Sequence, residues 1–441
     1  MKHLLLGTAA VLVAGATAHG QDAEPAYTTL GRHIRIDPSL TVQLADTQEG
    51  LTQDVAILLR ARQSGRIDPN TLTIGGFFKG AYFHEETDTA GKFPILNRFP
   101  DQHGSWEENS DFVINAAGLT FTGAAGNWLT GFVHTEYSQV TFTRDQNQFQ
   151  AREYYAVLGN LDVFGGYLAY GRKTIDFGEQ FGYNPFTHSV NQHFFWALAD
   201  EPVLELGYIA DTWRVSATAA TGDRMLRVGY STDRDGGLGT NFALKAERRF
   251  DLGEDRAVRV SASYLHDTIY NNNFTAHTVQ AIDRFAPPNA PLPPAVYIEY
   301  RTGLWDVAAE YTTPRFDIAA EYTRSTDVWA STSFDTDTGD AFDGTRDLSA
   351  LTVMGRYRTE LAGYATDFSA VYSHTIMGPD DTEFDEAFQH VLGMEMHISQ
   401  NLDFGVEYVF NDGFQPFVGI QDVANSGVQS NVGIVGIKAR F

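Results

Sequence analysis

The chain has 441 residues, a formal net charge of −25 and no cysteine. That excludes a disulfide framework, a thiolate nucleophile and a thiolate metal site, and so acidic a balance disfavours nucleic acid and anionic partners. Aromatic residues make up 13% of the chain and glycines number 41, a composition that suits aromatic girdles and strands that bend.

Lys2 supplies a positive start, Leu4 to Val13 is an apolar run, and Ala16-Thr17-Ala18 is a small-x-small cleavage site. Residues 1–18 are therefore expected to be a signal peptide, with His19 as the mature start. No other apolar run approaches the roughly 20 residues of a membrane helix. Losing Lys2 with the leader leaves 30 basic against 56 acidic residues, a charge of −26. Only five lysines remain: Lys79, Lys92, Lys173, Lys245 and Lys438. Such a balance biases a pore towards cations or neutral solutes; acidic loops tuned for solubility would give the same composition.

Residues 19–71 form a periplasmic lead-in with one expected helix, about 47–64. Asp46 is a suitable N-cap, Glu49 lies three residues on, and Gly65 and Pro69 end the pattern. Leu51, Val55, Leu58, Leu59 and Arg62 fall on one stripe, and Leu44, Leu51 and Leu58 repeat every seven residues. Two placements stay open: a short coiled-coil stalk, or a helix packed on or inside a barrel made by the rest of the chain.

From Leu72 to Phe441 the pattern is strand after strand, sixteen in all. They are expected at 72–83, 111–122, 127–137, 149–158, 165–172, 202–209, 213–221 and 239–250, then at 257–267, 302–311, 316–324, 348–359, 364–375, 387–398, 402–410 and 429–441. Short and long connections alternate, as in outer-membrane barrels. Trp305, Val307, Ala309 and Tyr311 alternate with Asp306 and Glu310. The next strand repeats this with Phe316, Ile318, Ala320 and Tyr322 against Asp317, Glu321 and Arg324. The apolar set is expected to meet lipid and the charged set a wet lumen. The fold class is all-β, a transmembrane antiparallel β-barrel of about sixteen strands.

The third long loop, 173–201, has glycines for folding, aromatics to pack on the wall, and polar groups to meet a solute. An inward fold would make it a constriction, with Arg172, Lys173, Asp176, Glu179, His188 and His193 as its candidates; Lys79, Arg152 and Glu153 are weaker wall candidates. The other reading is an extracellular lid packed by Phe194, Phe195 and Trp196. His188 and His193 are five apart, a spacing that permits a shared metal ion, but loop histidines beside aromatics are commonly hydrogen-bonded instead. No metal and no cofactor is expected. Asp335, Asp337, Asp340, Asp343 and Asp347 crowd another loop without a bidentate Glu at the spacing calcium needs, and Pro287 to Pro294 make a stiff loop tip.

Tyr154-Tyr155-Ala156-Val157-Leu158-Gly159-Asn160-Leu161-Asp162, then Tyr170-Gly171-Arg172-Lys173 and Phe177-Gly178, resemble the strand–turn–strand core of the outer-membrane siderophore-porin family. The likeness covers residues 150–210, and the helix ahead of the barrel is similar. It implies a sixteen-strand barrel without an energy-coupled plug that passes an iron chelate or another small solute, and it supplies no ligand residues. The loop around Asn184 to Trp196 is expanded relative to the family pattern.

Enzyme chemistry is not expected: Gly-x-Ser-x-Gly does not occur, and a phosphate-type anion pore would want a ladder of lysines. The last strand alternates Gly433, Val435, Ile437 and Ala439 with Lys438 and Arg440 and ends on Phe441. Val435, Ile437 and Phe441 resemble the signal by which the barrel assembly machinery recognises its clients. The expected function is passive diffusion of small solutes through the cell outer membrane, with lipid, solute, that machinery and a homotrimer as partners. A non-conducting barrel with a structural or surface-binding role is the other reading, and conductance separates the two.

Overall fold

The computed structural model describes residues 28–30, 32–46, 52–96, 106–139, 149–196, 202–221, 238–266, 303–328, 347–376, 386–413 and 427–441. The expected signal peptide 1–18, the Asp-rich loop ahead of Asp347 and the Pro287–Pro294 run lie outside them.

Two short strands and two helices come first: β1 (Thr28–Leu30), β2 (Ile34–Ile36), α1 (Pro38–Ala45) and α2 (Asp54–Gln63). Sixteen barrel strands succeed them. They are β3 (Leu72–Thr87), β4 (Glu108–Ala125), β5 (Leu129–Tyr137), β6 (Phe149–Asn160), β7 (Phe164–Arg172), β8 (Val203–Ile209), β9 (Trp213–Thr221) and β10 (Leu238–Gly253). Then come β11 (Arg256–His266), β12 (Leu304–Thr312), β13 (Phe316–Val328), β14 (Asp347–Leu361), β15 (Tyr364–Ile376), β16 (Glu386–Ser399), β17 (Leu402–Gly413) and β18 (Gln429–Arg440). A third helix, α3 (Val190–Phe195), lies in the connection between β7 and β8.

Each barrel strand pairs antiparallel with its sequence neighbour, and β18 pairs with β3, so the sheet closes on itself without an edge. All sixteen expected strands are present. Several run further than expected: β3 continues to Thr87 and β4 begins at Glu108. Two short turns are tighter than expected. Glu254–Asp255 and Ala362–Gly363 each have two successive positive φ values, 52° and 55°, and 53° and 87°. That is the primed turn whose twist matches a two-residue hairpin.

Faces follow the alternation. Val307 and Ile318 are 45% and 51% exposed on the outside, whereas Asp306, Asp317 and Glu321 are buried within. The seam is sealed by the last residue. The Phe441 amide donates to the Gly76 carbonyl at 2.9 Å, the Gly76 amide returns the bond at 3.0 Å, and the aromatic ring covers the glycine. A Cβ on Gly76 would meet that ring at 2.2 Å, so only a bare backbone accepts it. Val435, Ile437 and Phe441 all point outward, 45%, 42% and 52% exposed.

The N-terminal segment packs inside the barrel. Leu44, Leu58 and Leu59 are buried in one cluster with Phe132, Tyr155, Val157, Tyr167 and Ala169 of the wall. Leu44 and Leu58 thus belong to different helices and meet wall residues rather than partner chains, which removes the basis for a stalk. Within the span of the expected helix, about 47–64, the described helix is α2, and α1 lies ahead of that span. Asp46 comes just after α1 instead of capping α2, and Asp37 caps α1, accepting from the Leu40 amide at 2.9 Å. Arg66 bonds Asp37 at 2.8 Å, clasping the segment's two ends.

Candidate functional site: the barrel interior

Gly171 in β7 has φ 142° and its Cβ would meet the Tyr154 carbonyl at 2.3 Å, a close approach that only glycine permits. The chain then turns inward, and residues 173–196 cross the lumen. Their anchors are spread round the wall. Glu321 of β13 accepts from the Glu179 and Gln180 amides at 2.8 and 2.9 Å. Glu407 of β17 accepts from the Phe186 amide, and from the Thr187 hydroxyl at 2.5 Å. Asn191 donates to Thr323 at 2.8 Å and accepts from Thr352 at 2.6 Å. A loop held by wall carboxylates that accept from its backbone is a structural part of the lumen rather than an outer lid.

The expected candidates separate into three groups. Asp176 and Glu179 are brought together, both buried. Lys245 of β10 lies 3.3 Å from Asp176 and 2.9 Å from Glu179. Arg214 of β9 is 3.1 Å from Asp176, and Arg259 of β11 is 3.0 Å from Glu179. Lys173 is buried on Glu205 of β8 at 2.5 Å. Of the weaker wall candidates, Arg152 and Glu153 join this group, whereas Lys79 lies apart. Arg152 pairs with Glu136 and lies 4.3 Å over the Trp196 ring. Glu153 accepts from the Thr174 amide at 2.7 Å. Lys79 points inward, 3.6 Å from Asp46 at the end of α1.

Arg172 stands apart. Tyr167, Ala169 and Gly171 face in, whereas Tyr170 and Arg172 face out. Its guanidinium bonds the Ala151 carbonyl at 3.1 Å on the outer side, so the expected place at a constriction is corrected by strand parity. His188 and Trp196 meet edge to face, ring centroids 6.1 Å apart; the His193 side chain lies outside the described residues.

Sequence reasoning missed the cations that answer Asp176 and Glu179. Arg214, Lys245 and Arg259 sit on three consecutive strands, each at an inward position, and alternation within those strands was the available signal. It also missed the helix contribution. Thr52, just ahead of α2, donates to the Gly178 carbonyl at 3.0 Å and accepts from Lys245 at 2.8 Å, while Gln53 donates to Glu179 at 3.1 Å. Burial, with the Glu153 carboxylate beside it, pushes the Asp54 carboxyl well above its ordinary range.

Above this charged layer the interior is apolar. Phe93, Ile95 and Leu96 from the first long loop and Phe181, Tyr183 and Phe186 from the third form one buried cluster. It reaches Phe83 and Ile434 on one side and Met354, Val391 and Val409 on others. Beneath the cluster a strip of inward side chains keeps contact with water. Arg259, Glu310, Arg356, Arg358, Glu395 and His397 retain between 14% and 36% side-chain exposure. Tyr183 overhangs it, donating to Glu310 at 2.7 Å while Arg356 lies 4.7 Å from its ring centroid.

No family model and no curated protein sequence matches the chain. Solved structures do. The DcaP outer-membrane channel of Acinetobacter baumannii aligns at 13% identity and a TM-score of 0.52, over 84% of this chain and 97% of that one. The anion-selective porin of Comamonas acidovorans aligns at 10% and 0.50, over 84% and 99%. OmpF of Salmonella typhi aligns at 17% and 0.50, over 84% and 97%. The fold is that of the bacterial outer-membrane porins. About a sixth of this chain lies beyond each alignment.

Proposed function

We propose that the protein is an outer-membrane porin, a passive diffusion channel for small polar solutes narrowed inside by its third long loop and its N-terminal helices. One observation carries this reading: apolar side chains face outward round a closed barrel while a charged, water-contacting strip runs along its inner wall. Lipid and water are the two solvents that pattern answers. The strip lies on β11 to β16 because α2 and the base of the loop cover the opposite wall. Its members carry both signs, so the filter is a mixed one and the chain's large negative charge does not by itself make the route acidic. A polar solute offering donors and acceptors together suits it, and the small chelate implied by the sequence resemblance falls within that class.

The apolar cluster around Phe181 and Phe186 favours a second reading, a barrel that does not conduct and serves at the surface. Single-channel recording of the refolded full chain in planar bilayers under a salt gradient separates them. Steady small openings, enlarged in Phe181→Ala, support the channel. Silence from a folded, heat-modifiable barrel overturns it in favour of the surface role.

A further inference from the structure

At the end of the β3–β4 hairpin arms, where the lipid-facing surface gives way to the first long loop, three metal-ligating side chains converge. Glu86 and Glu108 are direct register partners across the two strands, and His84 is two residues below Glu86 on the same face. One ligand atom each from His84, Glu86 and Glu108 all lie within 4.8 Å of one another. Just beneath them Tyr82 and Phe112 pair with ring centroids 4.9 Å apart, Phe112 being 78% exposed. The cluster therefore stands just above an outward aromatic pair of the same two strands.

We propose that His84, Glu86 and Glu108 bind one divalent transition-metal ion of the zinc class. Like charges placed directly opposite on a sheet repel, and a cation between Glu86 and Glu108 turns that repulsion into attraction. The imidazole is already aimed. Ser110 lies 2.8 Å from Nδ1, and Nε2 faces the Glu86 carboxylate at 3.5 Å. A hydrogen-bonded second nitrogen is how ligating histidines are usually held. A tetrahedral ion about 2.0–2.2 Å from nitrogen and oxygen ligands needs those atoms about 3.4 Å apart. The His84–Glu86 pair already meets this, and Glu108, at an exposed position, reaches it by rotating. One imidazole with two carboxylates favours zinc, nickel or copper over calcium, which wants oxygen alone. The other such cluster among the described residues, Glu395, His397 and Asp403, has its acids engaged: Lys438 is 3.1 Å from Glu395, and Arg440 pairs with Asp403.

The test is zinc titration of the refolded full chain in detergent against a chromogenic chelator. One ion should bind the wild type, at least tenfold more weakly in His84→Ala and in the Glu86→Gln/Glu108→Gln double variant, and undiminished in Glu395→Gln. These outward side chains lie outside the packed interior, and a heat-modifiable band on gels establishes folding for each variant. Should one variant not fold, the other decides. Zinc should also raise the unfolding temperature of the wild type and of Glu395→Gln, but not of the His84 or double-Glu variants. Equal affinity in the wild type and the His84 or double-Glu variants overturns the proposal, as does loss of the ion in Glu395→Gln.

Discussion

Lys245 Nζ lies 2.9 Å from Glu179 Oε1, with both side chains almost wholly removed from water. Each is the reason the other can be charged there, since breaking a buried pair leaves an uncompensated ion behind. Lys245→Met should therefore cost on the order of 3–5 kcal/mol, because it leaves Asp176 and Glu179 to share Arg214 and Arg259. The temperature at which the folded gel band converts to the unfolded one should fall. The Glu179→Gln/Asp176→Asn double variant leaves Lys245 and Arg214 under-compensated and should destabilise as well. Those two acids hold the loop, so a change in ion preference on neutralising them should arrive together with unstable, noisy currents. Quiet channels with a clean shift in preference would contradict this placement.

The Asp37–Arg66 clasp gives the N-terminal segment an acid limit. Burial works to raise the Asp37 carboxyl, but the Arg66 hydrogen bonds and charge, with the Leu40 amide, outweigh it and hold the carboxyl below its ordinary range. A depressed folded value means that the stabilisation is present above the unfolded value, about 3.9. It is lost as pH falls through the folded one. Limited proteolysis of residues 32–67 should accelerate below about pH 4 in the wild type. Asp37→Asn should show faster cleavage already at neutral pH, with a flatter acid dependence. A cleavage rate independent of both pH and this substitution would show that the clasp does not hold the segment.

Phe441 and Gly76 should be mutually dependent. Phe441→Ala uncovers Gly76 and removes the ring that closes the seam; the yield of folded barrel in detergent or lipid should drop. Gly76→Val drives a Cβ into the ring at 2.2 Å and should act in the same direction. Because both act on one contact, the double variant should be less impaired than the sum of the two. Additive losses would show that the contact is incidental to assembly.

The strands were legible because each lies between two solvents, and a period-two sequence has only one way to satisfy both. That is why Asp306, Asp317 and Glu321 could be assigned inward from alternation with Val307 and Ile318. The outward aim of Arg172 was legible too, since it is two residues beyond Tyr170 on the same face. The sequence by itself determined the barrel, its strand number and the two sides of its wall. What fills the interior was decided only by closure of the sheet. Asp176 finds Arg214 and Lys245, and Leu58 finds Tyr155 and Val157, across separations that no local pattern records. Those contacts form once β18 meets β3 and curved walls bring distant strands to face one another. Local alternation encodes which solvent a side chain prefers; which partner it meets inside is a property of the closed surface.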